Sequence, residues 1–65
     1  MMQTLKEARM ARGIKQQTVA AALNISRQTY AKYENDPRTM PIGQAESACA
    51  FIGCDFDKIS FTESK

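Results

Sequence analysis

The side chains best suited to contacting a ligand lie on one side of the segment 27–34. We place this segment on a helical wheel, at about 100° per residue, with Tyr30 and Tyr33 directed inward. The opposite arc then consists of Gln28, Ala31, Lys32 and Asn35, with Arg27 at its edge. Gln can form two hydrogen bonds with N6 and N7 of adenine, whereas Arg and Lys prefer O6 and N7 of guanine. The small Ala31 lets a base or a methyl group approach. The arc is therefore a candidate surface for reading base edges, and the alternative is an ordinary solvated helix face.

A second group of candidate residues follows directly, in the loop-like stretch 35–40 (NDPRTM). Asn35, Arg38 and Thr39 carry donors of the kind that contact phosphate oxygens. The free amides at the start of the next helix could join them, because helix N-termini attract anions. We expect this group to contact a nucleic acid backbone. Loop arginines are often only solvated, which is the alternative for Arg38.

The sequence gives little support for catalysis, metal binding or a cofactor. The chain has no His, two Cys, carboxylates scattered along the sequence and three isolated Gly. Without a Cys–His pair, a tetrahedral metal set or a glycine-rich phosphate loop, we expect no enzyme activity, no metal site and no cofactor. Cys49 and Cys54 are expected to be buried thiols, since a disulfide between them would require an oxidising compartment.

The candidate arc depends on two short helices. Val19, Ala20 and Leu23 define an apolar face of a helix over residues 16–23. Ser26 can cap a second helix over residues 27–34. Asn24, between them, adopts the left-handed conformation more easily than most residues. Two short helices around such a turn form a helix-turn-helix.

The rest of the chain predicts three more helices. Thr4 and Glu7 form a capping-box pattern for a helix that runs to residue 12 and stops at Gly13. A fourth helix has an apolar face and ends at Gly53; the residues of that face are Ile42, Ala45, Ala48, Cys49 and Ile52. Pro41 is expected in its first turn. A final helix, 56–59, is expected after the cap residue Asp55.

We therefore predict an all-α fold, a compact bundle of five short helices without a supported strand. One domain spans residues 1–65, with 1–3 and 62–65 frayed at its ends. Phe61 has no obvious place in this core. It could contribute to a symmetric dimer contact or fold back on its own domain, and the sequence leaves both open.

Charge is small in total but unevenly distributed. The net charge is +2. Residues 1–40 hold seven Lys and Arg against three acids (+4), whereas residues 41–65 hold two against four (−2). The first part is a candidate phosphate-facing surface, although a small domain can show such an imbalance by chance. No apolar run is long enough for a membrane helix, and we expect a cytoplasmic protein without membrane contact.

The helix-turn-helix also resembles a family, the phage-repressor/Cro (Xre-type, lambda-repressor-like) DNA-binding domains. The residues that carry the resemblance are Gln16, Ala20, Leu23, Ile25, Ser26, Tyr33 and Glu34. Asn24 stands where the family usually has Gly, and Lys15 replaces the usual Ser or Thr cap. The resemblance implies that Gln16 contacts a backbone phosphate. It also implies that Arg9 and Glu34 form a partly buried ion pair that holds the recognition helix.

The resemblance implies a sequence-specific transcription regulator that occupies an operator on double-stranded DNA with its third helix in the major groove. A single small domain offers about 600–1,000 Å² of DNA interface, which favours a homodimer, at least on DNA. Two alternatives stay open. One is the antitoxin half of a toxin–antitoxin pair, which binds both DNA and a toxin protein. The other is a protein-interaction module that has lost DNA binding, which the polar residues on one side disfavour.

Overall fold

The structure, a computed structural model, describes residues 2–61. Within these residues the α-helices are α1 (Leu5–Ala11), α2 (Gln16–Ala22), α3 (Arg27–Asn35) and α4 (Ile42–Ile52). Two 3₁₀ turns lie at Pro37–Thr39 and Phe56–Lys58, and two short strands are β1 (Gln3–Thr4) and β2 (Ile59–Ser60). Helix α2 packs against both α3 and α4, and α1 packs against α4.

Helix α1 begins with the expected capping box. The Glu7 amide donates to Thr4 Oγ1 at 3.1 Å, and the Thr4 amide donates to Glu7 Oε1 at 2.9 Å. Two orphan amides of the first turn are thereby satisfied. Gly13, with φ +67°, supplies the left-handed residue after the helix. The helix itself is one residue shorter than predicted, because Arg12 is its C-cap.

The turn between α2 and α3 has the predicted geometry. Asn24 has φ +60°, and the Ile25 amide closes the turn by donating to the Ala20 carbonyl at 3.0 Å. Ser26 caps α3, since its Oγ accepts from the Thr29 amide at 3.1 Å. These local bonds fix where α3 starts.

Helix α4 differs from the prediction at its N-terminal end. Pro41 is the N-cap residue and not part of the first turn. Ile42, expected in the core, is 68% exposed. On the wheel Ile42 lies about 70° from the centre of the buried face, and it occupies the end of the helix, where fewer neighbours can cover it. The other predicted face residues, Ala45, Ala48, Cys49 and Ile52, are buried.

The predicted fifth α-helix is instead the 3₁₀ turn Phe56–Lys58, in which the Asp57 amide donates to Asp55 Oδ1 at 3.1 Å. After it the chain is extended, and β2 pairs in parallel with β1 in the register Gln3↔Ile59 and Thr4↔Ser60. The expectation of a fold without strands was therefore wrong. Gln3, expected to fray, is paired here; Met1 and residues 62–65 lie outside the described residues.

The core combines residues from all four α-helices with Met40 and Ile59, and Tyr30 is completely buried. Phe61 folds back on its own domain: its ring stacks on Phe56, with centroids 5.2 Å apart, against the edge of the core. Cys49 is buried, whereas Cys54 is only half-buried, and both are free thiols. Burial raises the pKa of Cys49 to about 12. No helix within residues 2–61 has the length and apolar character needed to cross a membrane.

Candidate nucleic-acid interface

The outward side of α3 presents the predicted arc to solvent. Gln28, Lys32, Asn35 and Arg27 are exposed, and Ala31 is half-buried between them. On the opposite side Tyr30 is buried and Tyr33 is half-buried against the core. The helix therefore faces outward with side chains that can form hydrogen bonds to base edges.

A buried ion pair holds α3 against α1. Arg9 Nε donates to Glu34 Oε2 at 2.6 Å and Arg9 Nη2 donates to Glu34 Oε1 at 3.1 Å. A third bond, from Arg9 Nη1 to the Ile14 carbonyl at 2.6 Å, ties the same guanidinium to the segment before α2. The two side chains are only 9% and 2% exposed. A bidentate Arg–carboxylate pair restricts orientation as well as distance, so α1, α2 and α3 share one anchor.

The surroundings of this anchor favour the charged forms of Arg9 and Glu34. Burial opposes ionisation of Glu34, but the hydrogen bond from Arg9 is the largest of the effects that together outweigh it, and the pKa of Glu34 is lowered. The hydrogen bond with Glu34 raises the pKa of Arg9. Tyr30 lies beside the pair, and burial raises the pKa of its hydroxyl, so it remains neutral. Within the described residues this hydroxyl has no hydrogen-bond partner.

Gln16 connects the anchor with the exposed arc. Its Nε2 donates to Glu34 Oε1 at 2.9 Å, and its Oε1 accepts from Arg27 Nη1 at 3.4 Å, a long and therefore weak bond. The family resemblance implies a phosphate contact for Gln16, and nothing in the sequence indicates these two contacts within the protein. They still leave one of the two amide hydrogens of Gln16 for another acceptor.

The other backbone candidates lie in the 3₁₀ segment after α3. Arg38 Nε pairs with Asp36 Oδ1 at 3.2 Å, with both side chains substantially accessible. Thr39 Oγ1 donates to the Asp36 carbonyl at 2.7 Å. The Arg38–Asp36 pair was not foreseen, although a spacing of two residues could have suggested it. A surface pair of this kind contributes about 0–1 kcal/mol, so Arg38 can exchange Asp36 for a phosphate at little cost.

A cleft of about 170 Å³ lies where α1, α2 and α3 meet. It is lined by Lys6, Gln16, Ala31, Glu34 and Asn35. Gln16, Ala31 and Asn35 are among the residues that the sequence predicts to contact DNA. Lys6 is not, because nothing in the sequence of its own helix shows that it comes close to α3.

The chemistry of this surface is that of hydrogen-bond donors and positive charge. Within residues 2–61 no group of three His, Cys, Asp or Glu side chains is arranged to hold a metal ion. What the arrangement can do is place amide, guanidinium and ammonium groups on a rigid helix.

A known protein family matches the fold of the chain. A family model described as helix-turn-helix matches residues 5–59, which include all four α-helices. No curated protein and no solved structure matches the chain.

Proposed function

Because the chain belongs to the repressor/Cro (Xre-type) family of helix-turn-helix DNA-binding regulators, we propose that it regulates transcription by occupying an operator with α3 in the major groove. The observation that carries this proposal is the exposed arc of α3. Its polar side chains face outward while Tyr30 and the Arg9–Glu34 pair hold the other side of the helix. A recognition helix needs this combination, because base readout requires donors held in a defined orientation.

The proposed base contacts are Arg27, Gln28, Ala31 and Lys32. Arg27 and Gln28 occupy the first turn of α3, the part of a recognition helix that contacts base edges. Lys32 follows Gln28 by one helical turn and lies on the same side. The weak contact with Gln16 brings the Arg27 guanidinium close to the start of α2.

The proposed backbone contacts are Gln16, Asn35, Arg38 and Thr39. Gln16 would donate its second amide hydrogen to a phosphate while its first remains bonded to Glu34. Arg38 and Thr39 would contact the backbone beyond the other end of α3. These contacts would set the register of α3 in the groove. Phosphate contacts do not by themselves distinguish one base sequence from another.

We further propose that two copies bind a two-fold symmetric site. One small module buries about 600–1,000 Å² on DNA, which is less than most specific complexes bury. Two modules whose recognition helices enter successive turns of the major groove would double this area. The half-sites would then lie about 34–36 Å apart.

Selection of bound duplexes from a random pool tests the proposal. We expect wild-type protein to enrich a two-fold symmetric sequence and Gln28→Ala to relax the preference at one base pair in each half. Gln3→Ala is the matched control. It also removes an exposed Gln side chain, but from β1, outside the proposed DNA face. Enrichment of no sequence by the wild-type protein would refute the proposed function.

A further inference from the structure

Lys6, in the first turn of α1, belongs to none of the proposed base or backbone contacts. Its side chain is exposed and lines the cleft shared with Gln16, Ala31 and Asn35, three residues of the proposed DNA face. Lys6 is 10 residues before Gln16 and 25 before Ala31 in the chain. The tertiary fold, in which the Arg9–Glu34 pair links α1 to α3, brings it there.

Within residues 2–61, Lys6 takes part in no recorded side-chain hydrogen bond or ion pair that would stabilise the fold. It lies in the first turn of α1, where the partial positive charge of the helix end disfavours a cation. Its acidic neighbour Glu7 is already bonded to the Thr4 amide in the capping box. Among residues 2–61 the recorded ion pairs are Arg9–Glu34 and Arg38–Asp36, so Lys6 takes part in neither.

Within residues 2–61, no uncompensated negative charge lines the cleft. Among the described residues that line the cleft, Glu34 is the one acid. Both of its carboxylate oxygens accept hydrogen bonds from Arg9, with a further bond from Gln16. The charge of Glu34 is therefore balanced within the protein. Among the described lining residues Lys6 therefore carries the one charge that is not balanced, and a positive charge of this kind suits an anion.

The position of the cleft relative to α3 indicates which anion would bind there. With α3 in a groove about 12 Å wide, elements that flank α3 lie over the walls of the groove, which are sugar-phosphate backbone. The cleft lies on the flank formed by α1 and the start of α2. Because Lys6 and Gln16 line the same cleft, Lys6 would then lie beside the strand that Gln16 would contact.

We propose that Lys6 binds a DNA backbone phosphate at this cleft, next to the phosphate contacted by Gln16. This inference rests on the proposed function. It adds a contact from α1 to a surface otherwise built from α2, α3 and the following 3₁₀ segment. Lys6 would help to set how deeply α3 enters the groove and would leave the preferred base sequence unchanged.

The test measures affinity at several salt concentrations on the duplex that wild-type protein selects. Each phosphate contact contributes about 0.9 to the slope of log affinity against log salt. Between 50 and 200 mM salt, wild-type protein should therefore lose about 3.5-fold more affinity per bound protomer than Lys6→Ala. Lys6→Arg, which keeps the charge, should retain the wild-type slope. Lys58→Ala, at an exposed lysine in the acidic part of the chain, should also behave as wild type.

A second measurement locates the contact. Duplexes in which one phosphate at a time is replaced by an uncharged methylphosphonate should weaken wild-type binding at a particular phosphate in each half-site. Lys6→Ala should be insensitive to replacement at that phosphate and should still respond at the others. A circular-dichroism spectrum checks that the variant is folded; if Lys6→Ala is not, Lys6→Gln takes its place.

The outcomes separate the inference from the proposed function. If wild-type protein selects a sequence but Lys6→Ala keeps its full salt slope, the inference about Lys6 is wrong and the function stands. If Lys58→Ala lowers the slope as much as Lys6→Ala, the effect is a general loss of charge and the local contact is refuted. If wild-type protein selects no DNA, the proposed function and the inference both fail.

Discussion

Replacing Glu34 by Gln tests the anchor that orients the recognition helix. In the wild-type protein three donors from Arg9 and Gln16 converge on the two oxygens of a carboxylate that is 2% exposed. An amide of the same shape keeps one oxygen and turns the other acceptor into an NH₂ group. At least one donor must then face another donor, and Arg9 loses the charge that balanced it.

The expected loss of stability is large for so small a domain. Removing one partner of a buried pair costs about 3–5 kcal/mol, and we expect about 3 kcal/mol because the amide oxygen still accepts a bond. A domain of this length has a total stability of about 3–10 kcal/mol. Each kcal/mol shifts the melting temperature of such a domain by about 4–8 °C, so Glu34→Gln should melt about 12–24 °C lower.

Thermal melting followed by circular dichroism is the assay, and Asp36→Asn is the matched control. The control makes the same carboxylate-to-amide change in the exposed pair with Arg38, where we expect a change of at most about 1 kcal/mol. A melting temperature for Glu34→Gln within about 2 °C of wild type would refute the argument that the pair is buried and stabilising. So would an equal effect of the two substitutions.

The pH dependence provides an independent check on the same pair. The pKa of Glu34 is lower in the folded protein than its ordinary value of 4.5. Its contribution to stability is therefore present above about pH 4.5 and is lost as the pH falls through the folded pKa. Acidification through this range should narrow the difference in stability between wild type and Glu34→Gln. A difference that stays constant down to the lowest pH at which the wild-type protein remains folded would contradict the proposed ionisation.

Three further predictions concern the DNA face and the chain end. Gln28→Ala should cost about 1–3 kcal/mol at one base pair per half-site; uniform weakening of every sequence would show that α3 is oriented differently. Arg38→Ala should weaken specific and non-specific binding alike and reduce the salt slope by about one unit per site, and an unchanged slope would exclude a phosphate contact. Phe61→Ser should lower the melting temperature, because it removes a stacked pair with Phe56 that contributes about 0.5–1.5 kcal/mol beyond its burial. If sedimentation instead shows weaker self-association at an unchanged melting temperature, Phe61 acts between copies.

Features that depend on neighbours within one or two helical turns could be predicted from sequence. The Thr4–Glu7 capping box, the left-handed Asn24 and Gly13, and the Ser26 cap all appear where the residue types indicated them. Each involves bonds or dihedral angles of residues at most five apart. Side-chain chemistry and backbone sterics determine such features before any tertiary packing exists.

The outward face of α3 was predictable for a related reason. Helical periodicity places Gln28 and Lys32 on the side opposite Tyr30, and the structure leaves both exposed. The partnership of Arg9 with Glu34 is different. These residues are 25 positions apart, and family resemblance suggested the pair where periodicity could not.

Tertiary structure alone decided the remaining features. The bonds of Gln16 with Glu34 and Arg27, the place of Lys6 at the cleft and the pairing of β1 with β2 all join segments that are distant in sequence. The exposure of Ile42 likewise depends on where the neighbouring helices end, and not on the apolar pattern of α4. Periodicity assigns a residue to a side of its own helix, whereas the angle and distance between helices determine what that side meets.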